Sequence, residues 1–145
     1  MTNPLGDGFL REQQLAFALY KAGERIRSEL DTALSNCFAV NFLQFSLMLV
    51  VATCVEQTPA KIARRLRVDP AVVTRALDKL EALDLVDRKR TSTDRRIVLI
   101  SLTESGAKVF DDLCQAAGTV LTSRLSNFTE GQAGQLDNLL ALFTA

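Results

Sequence analysis

The stretch TPAKIARRLRVDPAVVTRALDKLEAL, Thr58 to Leu83, decides the fold. It carries two helix-start signals, Thr58-Pro59 and Asp69-Pro70. In each, a short oxygen-bearing side chain can cap the free N–H groups of a first turn, and proline stands where a helix has no N–H to lose. The first signal opens a short helix, Pro59 to Leu66, with Ile62, Ala63 and Leu66 on its inner side, and Arg67-Val68 forms the turn. The second opens a helix from Pro70 to about Leu83, with Val73, Ala76, Leu77 and Leu80 turned inward. Two short helices joined by a tight turn form a helix-turn-helix, whose second helix is the reading element.

Downstream, Leu85 to Arg90 and Arg95 to Leu102 are β-rich runs either side of a polar tip, Thr91 to Asp94, which predicts a hairpin. A helix-turn-helix followed by a basic hairpin is a winged helix. Upstream, Leu15, Leu19, Ala22, Ile26, Leu30 and Ala33 recur at helical spacing between Phe9 and Leu34, so a long amphipathic helix is expected, ending near Ser35-Asn36. Asn41 and Gln44 form a capping box for a helix to about Glu56, with Leu47, Val50, Val51, Cys54 and Val55 buried. Thr103 caps a helix to about Leu125, lined by Phe110, Leu113, Ala117, Val120 and Leu121. A second capping box, Thr129 with Gln132, opens a last helix with Leu136, Leu139, Leu140 and Phe143 on one face. The fold class is mainly α with a small β-hairpin wing.

The chain has 145 residues, 17 basic and 17 acidic, and no histidine. That removes His-based acid–base catalysis, His-dependent nucleophile pairs and His-ligated metal sites. Cys37, Cys54 and Cys114 lie far apart and make neither a disulfide framework nor a zinc spacing. With no metal motif and no glycine-rich phosphate loop, the chain reads as a non-enzyme that needs no cofactor. The N-terminus lacks a secretion-signal layout, and the uncharged stretch from Thr32 to Val55 is broken by polar residues, so a cytoplasmic protein without a membrane span is expected.

Zero net charge hides an asymmetry. Between Lys61 and Arg96 there are 11 basic and six acidic residues, leaving the remainder equally acidic. A basic middle between acidic ends fits a polyanion-binding module carried on another element, or a solvated surface of mixed charge.

From Asn41 to Phe110 the chain resembles the MarR family of bacterial transcription regulators. The matching stretches are NFLQFSLMLVVA, TPAKIARRLRVDPAVVTRALDKLEALDLVDRKR and TDRRIVLISLTESG, the last with the paired Asp94 and Arg96 followed by Leu102-Thr103 and Gly106. The resemblance implies a single domain over residues 1–145. Residues 9–38 and 104–145 would form dimerisation helices, and 41–103 the winged helix that each subunit of a homodimer presents to double-stranded DNA. Arg67 and Asp84 stand where the family often has glycine, and Ala71-Val72 where polar residues are common.

For a DNA complex, Thr74, Arg75 and Lys79 are the major-groove candidates, and Ala71 and Val72 could meet thymine methyls. Arg75 is read either as a guanine reader or as a phosphate clamp. Arg95 and Arg96 suit the minor groove, with Asp94 bracing the wing arginine, as the resemblance implies. Lys61, Arg64, Arg65, Lys89 and Arg90 are phosphate-contact candidates.

Family members commonly release DNA on binding a small aromatic or phenolic acid. Tyr20, Arg25, Phe38, Phe42 and Phe45 are candidates for such a pocket, with Arg25 a partner for the carboxylate. The run Gln14 to Tyr20 resembles the organic-hydroperoxide-sensing branch, but Ala16 stands where that branch has its reactive cysteine. Cysteine oxidation, through Cys37, is the alternative switch. A winged helix used only for protein interaction is the alternative use, against which the basic wing tip argues.

Overall fold

The computed structural model describes residues 6–145, with side chains from Leu10 onward. Part of the N-terminal stretch on which the secretion reading rests, residues 1–5, lies outside the described residues. The order is α1 (Gly6–Cys37), α2 (Phe42–Thr53), α3 (Pro59–Leu66), α4 (Pro70–Ala82), β1 (Val86–Arg90), β2 (Val98–Leu102), α5 (Glu104–Leu125) and α6 (Glu130–Thr144). The chain is thus mainly helical with one antiparallel hairpin, as the sequence predicts. Among the described residues no single helix is long and apolar enough to cross a membrane.

The caps fall where the sequence puts them. Asn41 and Thr129 each form a complete capping box with Gln44 and Gln132. Thr58, Asp69 and Thr103 each accept a hydrogen bond from a first-turn N–H of α3, α4 and α5, a device worth about 1 kcal/mol apiece. Helices α3 and α4 end alike. Arg67 and Asp84 both lie in the left-handed region, at φ 53° and 56°. In each case the next residue's N–H reaches back five residues, Val68 to Ala63 and Leu85 to Leu80. This is the closure that glycine normally serves, at the two positions where the family often has it.

The core is built where α2, α3, α4 and the hairpin meet α1 and α5. Leu34, Leu47, Met48, Ile62, Val73, Leu77, Leu80, Leu85 and Leu113 are fully buried. Phe45 stacks on Phe110 with ring centroids 5.8 Å apart, joining α2 to α5. At the foot of the hairpin Thr103 donates its hydroxyl to the Asp84 carbonyl and accepts the N–H of Gly106 at 2.8 Å. Gly106 is buried there, and a Cβ on it would overlap the Leu85 carbonyl.

Several expectations are corrected. Helix α1 runs past Ser35-Asn36 to Cys37: the Ser35 hydroxyl turns back to the Thr32 carbonyl without breaking the helix, and the Phe38 N–H still donates to the Leu34 carbonyl at 2.8 Å. Helix α2 stops at Thr53 rather than near Glu56, and Val55, expected inside, is 86% exposed. The reason is a third, single-residue rung on the wing: Gln57 bridges Ile100, whose N–H donates to the Gln57 carbonyl at 2.8 Å, so the chain must leave the helix early, with Glu56 at φ 52°. Strand β2 begins at Val98 rather than Arg95, since the Ile97 N–H closes a turn onto the Asp94 carbonyl.

The apolar stripe of α1 is buried within this chain only at its C-terminal end, at Leu30 and Leu34. Leu15, Ala22 and Ile26 are exposed. Leu121 of α5 is exposed as well, and in α6 Leu139, Leu140 and Phe143 are exposed and no residue is buried.

Candidate nucleic-acid interface

Helix α4 buries Val73, Ala76, Leu77 and Leu80, so its 3.6-residue period turns Ala71, Thr74, Arg75, Asp78 and Lys79 outward. Val72 is half-buried. The Thr74 hydroxyl donates to the Pro70 carbonyl at 3.0 Å, which uses its proton and leaves the oxygen free to accept. Among the described residues Arg75 and Lys79 take part in no ion pair. Two cations thus stand on one exposed helix face.

The second part is the hairpin tip. Strands β1 and β2 pair from Val86 with Leu102 to Arg90 with Val98. Beyond the last rung the Thr91 hydroxyl donates to the Asp94 carbonyl at 2.6 Å and accepts the Asp94 N–H at 3.1 Å, closing the turn. Asp94 then accepts the Arg96 N–H at 2.9 Å and its Nε at 3.3 Å. The side chain of Arg96 is nonetheless 92% exposed, so its guanidinium is aimed rather than covered. Arg95 is exposed beside it, and Arg90 lies against the Arg95 carbonyl at 3.5 Å.

On α3, Lys61, Arg64 and Arg65 are exposed, and Lys61 Nζ donates to the Glu56 carbonyl at 3.1 Å. Lys89 lies 3.5 Å from Asp87. The sequence left Arg88 an anonymous cation. Its guanidinium reaches Asp78 at 2.6 Å and Glu81 at 3.3 Å on α4. Charge counting could not reveal this, because the partners lie on a different element.

The five pocket candidates do not converge. Tyr20 is 63% exposed on α1 beside Phe17. Arg25 is exposed and pairs with Glu29 one turn along. Phe45 is core, and Phe38 packs at its margin. Phe42 alone of the five lines a groove of about 460 Å³, walled by Arg27, Asp31, Asn41, Leu43, Ser46, Leu66 and Val68. Asp31 bridges its walls, accepting the Phe42 N–H at 2.6 Å and the Arg27 Nη1 at 2.9 Å. Asp31 and Arg27 were not among the sequence candidates. A smaller cleft shares Asn41 and Leu43 with the groove and reaches Arg75 and Lys79.

Among the cysteines, Cys37 is exposed at the end of α1, and Cys54 and Cys114 are half-buried. Burial, then the nearby Asp111, pushes the Cys114 thiol above its ordinary pKa, which disfavours the reactive thiolate.

Residues 41–98 match the model of the MarR family. The organic hydroperoxide resistance transcriptional regulator of Bacillus subtilis is 31% identical over 110 residues, covering 76% of this chain and 74% of that protein. The HTH-type transcriptional regulator MgrA of Staphylococcus aureus is 26% identical over 132 residues, covering 89% of this chain and 86% of that protein. Among solved structures, a mutant of MarR from E. coli complexed with operator DNA superposes with a TM-score of 0.85 at 25% identity, covering 97% of this chain and all of that one. Matching family pattern, winged helix and exposed basic helix and wing agree: this chain belongs to the MarR family of DNA-binding transcriptional regulators.

Proposed function

We propose that the protein is a homodimeric, sequence-specific repressor in the cytoplasm, released from a pseudo-palindromic operator by a small aromatic or phenolic acid. The observation that carries the DNA side is the pairing of free cations on α4, Arg75 and Lys79, with the braced Arg96 at the wing tip. In this reading α4 enters the major groove and the wing reaches the adjacent minor groove. Lys61, Arg64 and Arg90 meet phosphates, and Ala71, Val72 and Thr74 meet base edges.

The homodimer is supported by the apolar faces that the chain leaves bare, Leu15 and Ile26 on α1 with Leu139 and Phe143 on α6. Covering such faces with the same faces of a second copy gives a closed two-fold assembly. Residues 41–103 then form the reading head, and the terminal helices set the spacing between heads.

The effector reading rests on the groove at Arg27, Asp31 and Phe42, which lies within the size range of small-molecule sites. An acid seated there competes with Asp31 for Arg27 and presses on the Asn41–Leu43 wall behind the Arg75 cleft. A second reading, oxidation at Cys37, is favoured by the likeness to the hydroperoxide regulator, although Ala16 removes that branch's reactive cysteine.

The test is binding of purified protein to DNA upstream of its own gene, at two salt concentrations, with and without a panel of aromatic acids and an organic hydroperoxide. Salt-sensitive binding released by one acid supports the proposal. Release by peroxide alone moves the switch to Cys37. Binding without any sequence preference overturns the operator reading.

A further inference from the structure

Arg88 stands in the middle of β1, opposite Ile100, and its side chain reaches across to α4. Its Nη2 donates to Asp78 Oδ1 at 2.6 Å and lies 3.5 Å from the Thr74 carbonyl, and its Nη1 lies 3.3 Å from Glu81 Oε2. Thr74, Asp78 and Glu81 follow one another at helical spacings of four and three, so they form one stripe. One planar guanidinium therefore bolts nearly two turns of α4 to the hairpin. A lysine, with a single point of charge, does not reproduce that fork. The Arg88 side chain is only 28% exposed, against 92% for Arg96 at the tip of the same hairpin. The two arginines have different work.

Two consequences follow. First, the clamp fixes the inclination of the wing to α4. From Arg88 to the turn at Thr91 is about 10 Å of strand, so a tilt of about 10° at the clamp displaces the tip by about 2 Å. That exceeds the tolerance of a hydrogen bond. Second, Asp78 shares the outward side of α4 with Arg75 and Lys79. Unneutralised, its carboxylate would face the same polyanion.

We propose that Arg88 is a positioning residue for DNA recognition. By holding Asp78 and Glu81 it sets the reach between α4 and the wing arginine and neutralises acid on the reading side, without touching DNA. The proposal rests on the reading that α4 and the wing engage one duplex together.

The experiment compares wild type, Arg88→Gln, Arg88→Lys and Asp78→Asn on two labelled duplexes. One is recovered by in-vitro selection from random DNA with the wild-type protein, and the other is of random sequence. Each is titrated across a range of salt. Arg88→Gln is expected to weaken the selected duplex about fivefold and the random one less than about twofold, with an unchanged salt slope. Arg88→Lys recovers part of the loss. Asp78→Asn also weakens the selected duplex but strengthens the random one, because an acid has gone from the reading side. This variant carries the test if Arg88→Gln does not fold. A slope shallower by about one unit with equal losses on both duplexes makes Arg88 a phosphate contact and overturns the proposal. So does unchanged binding of the selected duplex by both Asp78→Asn and Arg88→Gln. Failure of the wild type to enrich any sequence overturns the DNA reading itself, and the clamp's role with it.

Discussion

Asp94 holds Arg96 by two hydrogen bonds, from the main-chain N–H at 2.9 Å and from Nε at 3.3 Å, yet leaves the guanidinium almost wholly in solvent. So exposed a pair adds little to folding. What it supplies is aim. Arg96→Ala is therefore expected to leave thermal stability unchanged while weakening DNA binding, with the slope of log affinity against log salt falling by about one unit. Fluorescence anisotropy across a salt series checks this. Unchanged affinity and slope would remove Arg96 from the interface.

Arg75 separates reading from holding. If it pairs with a guanine, Arg75→Ala costs roughly 1–3 kcal/mol on the selected duplex and less on random DNA. Equal losses on both would make it a backbone clamp. The same titrations give the answer directly.

Gly106 sits under the hairpin, where a Cβ would meet the Leu85 carbonyl. Main chain on both sides cannot step aside as a side-chain end would. Gly106→Ala is expected to destabilise the fold by roughly 1–3 kcal/mol, as overpacking does, and to lower the unfolding midpoint in urea. An unchanged midpoint would mean that α5 slides along its axis at no cost.

Glu29 joins α1 to Arg124 of α5, with Nε to Oε2 at 2.7 Å. The Arg124 hydrogen bond holds the Glu29 carboxyl below its ordinary pKa, with burial opposing and Arg25 assisting. A carboxyl depressed in the folded state contributes fully above its unfolded pKa, about 4.3, and loses that contribution as pH falls through the folded value. The stability gap between wild type and Glu29→Gln should thus be open at pH 7 and close progressively as the pH falls below about 4.3. A gap constant across that range would show that the contact does not depend on charge.

What the sequence revealed is what local chemistry determines. Asn41, Thr58, Asp69, Thr103 and Thr129 cap their helices because capping involves only residues within three positions. The fate of Val55 depends on Gln57 reaching a strand some forty residues away, which no periodicity encodes. The groove at Phe42 was illegible for a similar reason. Its polar members Arg27 and Asp31 are hidden among the charges of an amphipathic helix, and Phe45, one of the aromatic candidates, stacks on Phe110 from another element. Arg88 shows the limit of charge counting, since a cation bound to Asp78 and a free one such as Arg75 look alike in a sequence.

Helix α6 has a complete capping box at its start and not one buried residue along its 15. A helix of that length held only by its own hydrogen bonds is marginal in water. In the proposed homodimer its persistence would depend on a second copy covering its exposed leucines. Amide exchange along α6 should slow as the protein is concentrated, while amides beneath Leu77 and Leu80 keep one rate throughout. The tail of the chain would then act as a gauge of company, firm when its bare leucines are matched and open to solvent when they are not.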